Sequence, residues 1–211
     1  MKRSNEFWNG KVVILDNGHG NNTTGKRSPD NSFFEWEWNR MFVKKLKFEL
    51  ELLGYKVFAI VDEDNDIGLS VRANRANNII KEYGSNNCIF LSIHANASGN
   101  GSKWMNATGW SVYTTKGQNN SDRLAECLCN ACEDLGIKLR KDTSDDDKDY
   151  EENFTVIYKT NCPAVLVENM FYDSMSDLAF LQSENGIEQL INLHIMGIQN
   201  YFGEPVSIIK G

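Results

Sequence analysis

The stretch Lys11-Val-Val-Ile-Leu-Asp-Asn-Gly-His-Gly20 opens with an unbroken apolar run and closes on polar residues and glycine. A short run without polar alternation suits a strand buried on both faces, as in a parallel sheet, and the glycines mark its opening into a loop. Outward from it the same grammar repeats. Between Phe34 and Leu53, the residues Trp38, Phe42, Leu46 and Leu50 recur at every fourth position and Gly54 ends the run, which predicts a helix with one core-facing stripe. Tyr55 to Val61 reads as a second strand, Leu69 to Tyr83 as a helix, and Cys88 to His94 as another buried strand ending in a polar loop, Ala95 to Gly101. Gly109 to Thr115 gives an alternating strand, Ser121 to Leu135 a helix, Ala164 to Glu168 a last buried strand, and Ile187 to Phe202 a closing helix. This alternation predicts an α/β fold: a single three-layer domain with a twisted, mainly parallel sheet of about six strands, flanked by helices on both faces. The domain is expected over residues 11–203, between an N-terminal extension, 1–10, and a C-terminal tail, 204–211.

The bulk properties agree with that plan. A chain of 211 residues suits one well-buried domain, and with 41% hydrophobic and 24% charged residues and three prolines it leaves little room for unstructured linkers. A net charge of −7 excludes a nucleic-acid surface, which is built on clustered Lys and Arg. Five cysteines are an odd number without the spacing of a secreted scaffold, so they read as reduced thiols. Cys127, Cys129 and Cys132 fall on one predicted helix, where side chains fan out around the axis and do not converge on a metal. Met1 to Lys11 contains no apolar core for a signal peptide, and no stretch reaches the roughly 20 apolar residues of a membrane span. The expectation is synthesis in the cytoplasm, no membrane insertion, and a monomer by default. The run from Asp142 to Glu152, with Asp145, Asp146 and Asp147 at its centre, reads as a solvated acidic loop.

Chemistry is expected at the strand ends. Of three histidines, His19 follows the first strand and His94 ends the Cys88 strand, on the rim where open α/β sheets bind ligands. Imidazole is a common zinc ligand, and a catalytic zinc takes three protein ligands and keeps one open position. Glu35 is the third candidate, because it starts the first helix three residues before Trp38 and so shares the inward side, whereas Glu37 turns outward. Glu168 ends the apolar run Pro163-Ala-Val-Leu-Val-Glu168, where a carboxylate is costly to bury unless it is paired or works as a proton acceptor. His194, among Leu190, Leu193 and Met196, reads as a packed histidine of the closing helix. A rival is hidden in Gly20-x-x-x-x-Gly25-Lys26, which nearly completes a phosphate-binding loop. Arg27 replaces its Ser or Thr, and Pro29 follows where a helix should start.

Four motifs in order, Asp16-Asn-Gly-His-Gly20, Glu35 four residues before Asn39, Ser92-Ile-His-Ala-Asn96 and Val167-Glu-Asn-Met-Phe171, resemble the zinc-dependent N-acetylmuramoyl-L-alanine amidases of the Amidase_3 type over about Lys11 to Phe202. The resemblance implies Zn2+ held by His19, Glu35 and His94, Glu168 as catalytic glutamate, and hydrolysis of the amide joining the lactyl group of N-acetylmuramic acid to L-alanine in peptidoglycan. It also implies that the segment Val71-Arg-Ala-Asn-Arg-Ala-Asn77 is the family's arginine and asparagine segment. Arg72 reads first as a fold anchor and second as a substrate contact, and Asp16 and Asn96 read as supports for the zinc histidines. The loop from Gly20 to Pro29 lacks a second glycine directly after Gly20, and the aromatic run Phe33 to Trp38 is heavier than in many relatives. It is similar to phage or prophage lysis enzymes that act on the cell wall after release through a holin. Two alternatives stay open: a zinc peptidase or deacetylase acting on another amide, and a catalytically silent muropeptide-binding protein.

Overall fold

The structure, a computed structural model, describes residues 8–143 and 147–208, so Asp145 and Asp146 of the acidic run lie outside the described residues. Six strands form one sheet in the order β2-β1-β3-β6-β4-β5: β1 (Val12–Asn17), β2 (Lys56–Ala59), β3 (Cys88–Asn96), β4 (Ser111–Thr114), β5 (Tyr150–Glu151) and β6 (Ala164–Phe171). The β1–β2, β1–β3, β3–β6 and β4–β5 pairings are parallel, while β4 runs antiparallel to β6. The strand expected at Lys11 is thus the inner strand β1, buried at all six positions, as a run apolar on both faces demands.

Helices α1 (Glu35–Leu52), α2 (Leu69–Tyr83), α3 (Asn120–Asp134), α4 (Thr155–Tyr158), α5 (Met175–Gln182) and α6 (Glu184–Phe202) cover the sheet. Alternation along the strands divides the core in two. Val13, Leu15, Ile89, Leu91, Ile93, Val165 and Val167 pack with Phe42, Leu46 and Leu50 of α1 and with α3 and α6. Val12, Ile14, Phe90, Ala164 and Leu166 pack on the other face with Ala76 and Ile80 of α2 and Val156 and Ile157 of α4. The period-2 rule therefore puts Asp16, Ser92, His94 and Glu168 on the α2/α4 face, at the strands' C-terminal ends. Gly54 and Gly84, at φ 89° and 85°, end the helices before β2 and β3 in a backbone region that side chains disfavour.

The acidic run departs from its expected solvated state. Tyr150 and Glu151 form β5, and Asp149 is 2% exposed and accepts a 2.6 Å hydrogen bond from Thr114 Oγ1. α4 and α5 have no counterpart in the sequence reading. α5 follows Ser174, with Asp177 three residues on, the spacing of a capping box. Its carboxylate is used elsewhere: Asp177 Oδ2 accepts from the N–H groups of Gly109 (2.9 Å) and Phe171 (3.0 Å). Residues outside the expected boundaries pack on the domain too. Asn9 donates to the Gly54 carbonyl (3.0 Å) and to Glu204 Oε1 (3.0 Å), Tyr55 hydrogen-bonds Glu204, and Ser207 N–H donates to Gln199 Oε1 (2.7 Å). All five cysteines are free thiols. His194 is fully buried, its Nδ1 2.7 Å from the Leu190 carbonyl and its ring edge-on to Phe42 and Trp110.

Candidate functional site

Parallel pairing of β1 with β3 and of β3 with β6 brings three strand ends together, and His94 and Glu168 are partners in the β3–β6 register. Helix α1 starts on the same rim, so its first residue, Glu35, meets both histidines. Glu35 Oε1 lies 3.0 Å from His94 Nδ1 and 3.3 Å from His19 Nε2, and it accepts the Ala95 N–H at 3.2 Å. Glu35 is 1% exposed and its Oε2 has no hydrogen-bond partner. Glu37 is exposed, as expected.

The backbone builds this cluster at some cost. His19 sits at φ 64°, a region that non-glycine residues adopt rarely and that collects at functional sites. Two guanidinium groups grip its carbonyl, Arg40 Nη1 at 3.1 Å and Arg72 Nη2 at 3.3 Å. Gly18 precedes it because nothing larger fits: a Cβ there would lie 2.1 Å from His94 Cε1. Asn39 Nδ2 holds the Gly18 carbonyl at 3.1 Å, so the Glu35/Asn39 spacing places one residue against His19 and His94 and the next turn's residue on the loop that carries His19.

On β6 a bulge does similar work. The register passes from His94↔Glu168 to Asn96↔Phe171, so β6 carries one extra residue there, and Met170 takes φ 61°. Bulges of this kind re-aim side chains beside active sites. Asn169, fully buried, donates Nδ2–H to the His94 carbonyl (3.0 Å) and accepts the Trp110 indole N–H (3.1 Å), which locks the bulge. Glu168 is half-buried and its Oε2 has no partner. Burial pushes its carboxyl up to about 7, with the negative charge of Glu35 adding to the rise while His94 and Lys26 oppose it. Glu35 responds in the opposite sense: burial works against its charge, but the hydrogen bonds and charges of His19 and His94 hold its carboxyl far below the ordinary carboxylate value. Burial likewise works against a charged His94, and Glu35 reverses this, raising the imidazole above its ordinary value.

His19, Glu35 and His94 offer one ligand atom each, all within 4.8 Å of one another. Two imidazoles and a carboxylate of which one buried oxygen lacks a partner fit a divalent cation of borderline softness and leave a position open for a substrate or water. Among the described residues no other His, Cys, Asp and Glu group converges in this way, and the three cysteines of α3 do not.

Of the supporting residues named from sequence, Arg72 anchors the fold as first read, while Asp16 and Asn96 do not touch the histidine rings. Asp16 Oδ1 bonds Arg72 Nη1 (2.6 Å) and its Oδ2 accepts from Ser92 Oγ (2.7 Å), so it touches neither histidine ring. Arg72 is 1% exposed and also donates to the carbonyls of Asn17 (2.8 Å) and Ile67 (3.0 Å) and to Asp66 Oδ1 (2.7 Å), which leaves no N–H for a substrate. Asn96 Oδ1 accepts from the Ala97 N–H (2.8 Å) and its carbonyl from Tyr172 N–H (2.9 Å), again away from the rings. Arg75 pairs with Glu63, and Asn77 bonds the Lys159 carbonyl and the Asn161 N–H, docking α2 on the segment after α4. Arg40, Asn169 and Trp110 also support the site, and no sequence motif singled them out. Only Asn169 left a trace, as the residue after Glu168 in the last motif. No helix begins after Lys26; the loop continues to Glu35, which excludes a phosphate-binding turn there.

Comparison with known proteins agrees with this geometry. The profile described as N-acetylmuramoyl-L-alanine amidase matches residues 13–200. The endolysin of Bacillus phage SPP1 is 28% identical over 192 residues, covering 89% of this chain and 65% of the relative. The N-acetylmuramoyl-L-alanine amidase LytC of Bacillus subtilis is 30% identical over 174 residues, covering 82% of this chain and 32% of the relative. The chain thus spans between about a third and two thirds of these curated relatives. Among solved structures, the N-acetylmuramoyl-L-alanine amidase of Clostridium difficile 630 superposes with a TM-score of 0.76 at 28% identity, covering 92% of this chain and 97% of that one. On the profile that spans nearly all of its sheet and helices, this chain belongs to the N-acetylmuramoyl-L-alanine amidase family.

Proposed function

We propose that this domain hydrolyses the amide bond between the lactyl group of N-acetylmuramic acid and L-alanine in peptidoglycan, with Zn2+ held by His19, Glu35 and His94 and Glu168 as the catalytic residue. The observation that carries the reading is a carboxylate near neutrality, Glu168, in register with a metal-ligand candidate, His94, and with one oxygen unpartnered. A group poised near pH 7 serves both as base and as acid. Zinc on those three ligands would polarise the scissile carbonyl and make water a stronger acid. Glu168 takes a proton from the attacking water on one side of the amide and hands it to the departing amine. Arg72 and Arg40 hold the His19 carbonyl, and Asn169 holds that of His94, so the ligand side chains keep their aim through the cycle.

The likeness to a phage endolysin supports a lytic role on the cell wall, reached after release from the cytoplasm by a holin-type route. Among the described residues no helix is long and apolar enough to cross a membrane. The test is metal analysis of the purified protein, followed by incubation with peptidoglycan and mass spectrometry. Peptides beginning with alanine beside free muramic lactyl carboxylates are the expected products. A cut at another amide supports a different hydrolase, and binding without release supports a silent muropeptide-binding protein.

A further inference from the structure

The loop from β1 to α1 does more than deliver Glu35. Asn21 to Arg27, with Phe34 and Trp36, walls a cleft of about 260 Å³. Its wall adjoins the metal-ligand candidates through the backbone, because Phe34 directly precedes Glu35 and the Glu35 N–H donates to the Lys26 carbonyl at 3.0 Å. Arg27 is tied to Phe34 by a backbone bridge, so two adjacent cations are fixed along one wall.

Neither of these two cations is paired with a carboxylate among the described residues. In this chain of net charge −7, Arg72, Arg75, Lys47, Lys141 and Lys148 each sit within 4 Å of a carboxylate. Among the described residues no hydrogen bond or ion pair holds the Lys26 ammonium or the Arg27 guanidinium. Lys26 is half-buried, and its charge is felt by Glu168. A half-desolvated cation without a contact partner is an incomplete interaction that an anionic ligand group completes.

The role of Glu168 gives the cleft its side. The residue that returns a proton to the departing amine marks the peptide side of the scissile bond, and Lys26, whose carbonyl accepts the Glu35 N–H, is a cation beside that site whose charge acts on Glu168. The glycan on the other side is built of neutral sugar and acetamido groups, whereas the stem peptide carries free carboxylates beyond its first residue. Resting on the amidase reading, we propose that Lys26, assisted by Arg27, binds a free carboxylate of the stem peptide at the residue after L-alanine and so sets substrate preference.

The test compares two soluble substrates in the zinc-loaded protein: an N-acetylmuramoyl peptide with a free carboxylate on its second residue, and the same compound with that group as a carboxamide. The readout is the ratio of their kcat/KM values, from which any effect on Glu168 ionisation cancels because both meet the same base. Wild type is expected to favour the carboxylate by about tenfold, mainly through KM, the size of one charge-assisted hydrogen bond. Lys26→Met should bring the ratio near one, Lys26→Arg should restore most of it, and Arg27→Gln should lower it by about two- to threefold. A wild-type ratio near one, or a ratio unmoved by Lys26→Met, overturns the subsite while leaving the amidase reading intact. Cleavage of neither substrate overturns the amidase reading and the subsite with it.

Discussion

Two clusters of buried charge sit side by side at the C-terminal ends of β1 and β3, and they are satisfied to different degrees. In one, Arg72 and Asp16 are each 1% exposed, and every N–H of the guanidinium and both carboxylate oxygens have partners. In the other, Glu35 and Glu168 each keep one buried oxygen without a hydrogen bond. A satisfied buried pair has nothing left to offer a ligand; its work is to hold the backbone from Asn17 to His19. An unsatisfied buried carboxylate is expensive in the empty fold and is stabilised by what binds there. The contrast separates a structural knot from the proposed catalytic site a few residues away, although both are built from charged residues on one rim.

Substitutions test that contrast from its strongest effect downward. Glu168→Gln keeps the shape and removes the proposed proton shuttle, so hydrolysis should fall by roughly two to four orders of magnitude while the urea midpoint stays near that of wild type. A stability loss as large as that of an Arg72 variant would place Glu168 in the structural class instead. Arg72→Met does the reverse, leaving the buried Asp16 carboxylate without its cation, and should lower unfolding free energy by about 3–5 kcal/mol in urea titrations. Zinc at about a hundred times its Kd should raise the unfolding free energy by about 2.7 kcal/mol. This gain should vanish in a chelator and in His94→Ala; a gain that persists in His94→Ala removes that residue from the ligand set.

The smallest effect concerns Asp149, which has a single hydroxyl partner and lies between the two classes. Burial raises its carboxyl from 3.8 to about 6 against the lowering hydrogen bond of Thr114. The folded chain then binds this proton more tightly than the unfolded one, so its contribution to stability is fully present below about pH 4 and is lost as pH rises through about 6. Asp149→Asn should therefore stabilise the protein relative to wild type at pH 7.5 but not at pH 4.5, by on the order of 1–2 kcal/mol. Equal differences at the two pH values would show that Asp149 is not titrating from its buried place.

The βαβ alternation was legible in the sequence because buried parallel strands and one-sided helices leave distinct apolar periods, and Gly54 and Gly84 punctuate them. α5 was less visible: its amphipathic signal is weak, and its Asp177 serves the backbone of Gly109 and Phe171 rather than its own helix end. The acidic run misled for a related reason. A carboxylate series reads as solvent-facing, yet Asp149 is carried inward by β5 pairing at the sheet edge. Of the candidate ligands, His19 and His94 could be read from strand ends, and Glu35 partly from its distance to Trp38 and mainly from the family spacing to Asn39. Arg72 reads first as a fold anchor, as the structure has it, but its partner Asp16 does not, since a carboxylate at a strand end reads alike whether it supports a ligand or a buried guanidinium.

By itself the sequence determined the order of elements, the rim on which chemistry collects, and four residues that meet there, because burial on both faces of a parallel strand demands an apolar run whose first polar residue marks its end. Tertiary structure alone decided which carboxylates are satisfied, where the bulge falls in β6 beside Glu168, and that the Lys26 carbonyl meets the Glu35 N–H. Those outcomes depend on contacts between residues far apart in the chain, such as Asp16 with Arg72 or Asn169 with His94, and no local pattern encodes a partner that folding alone brings near.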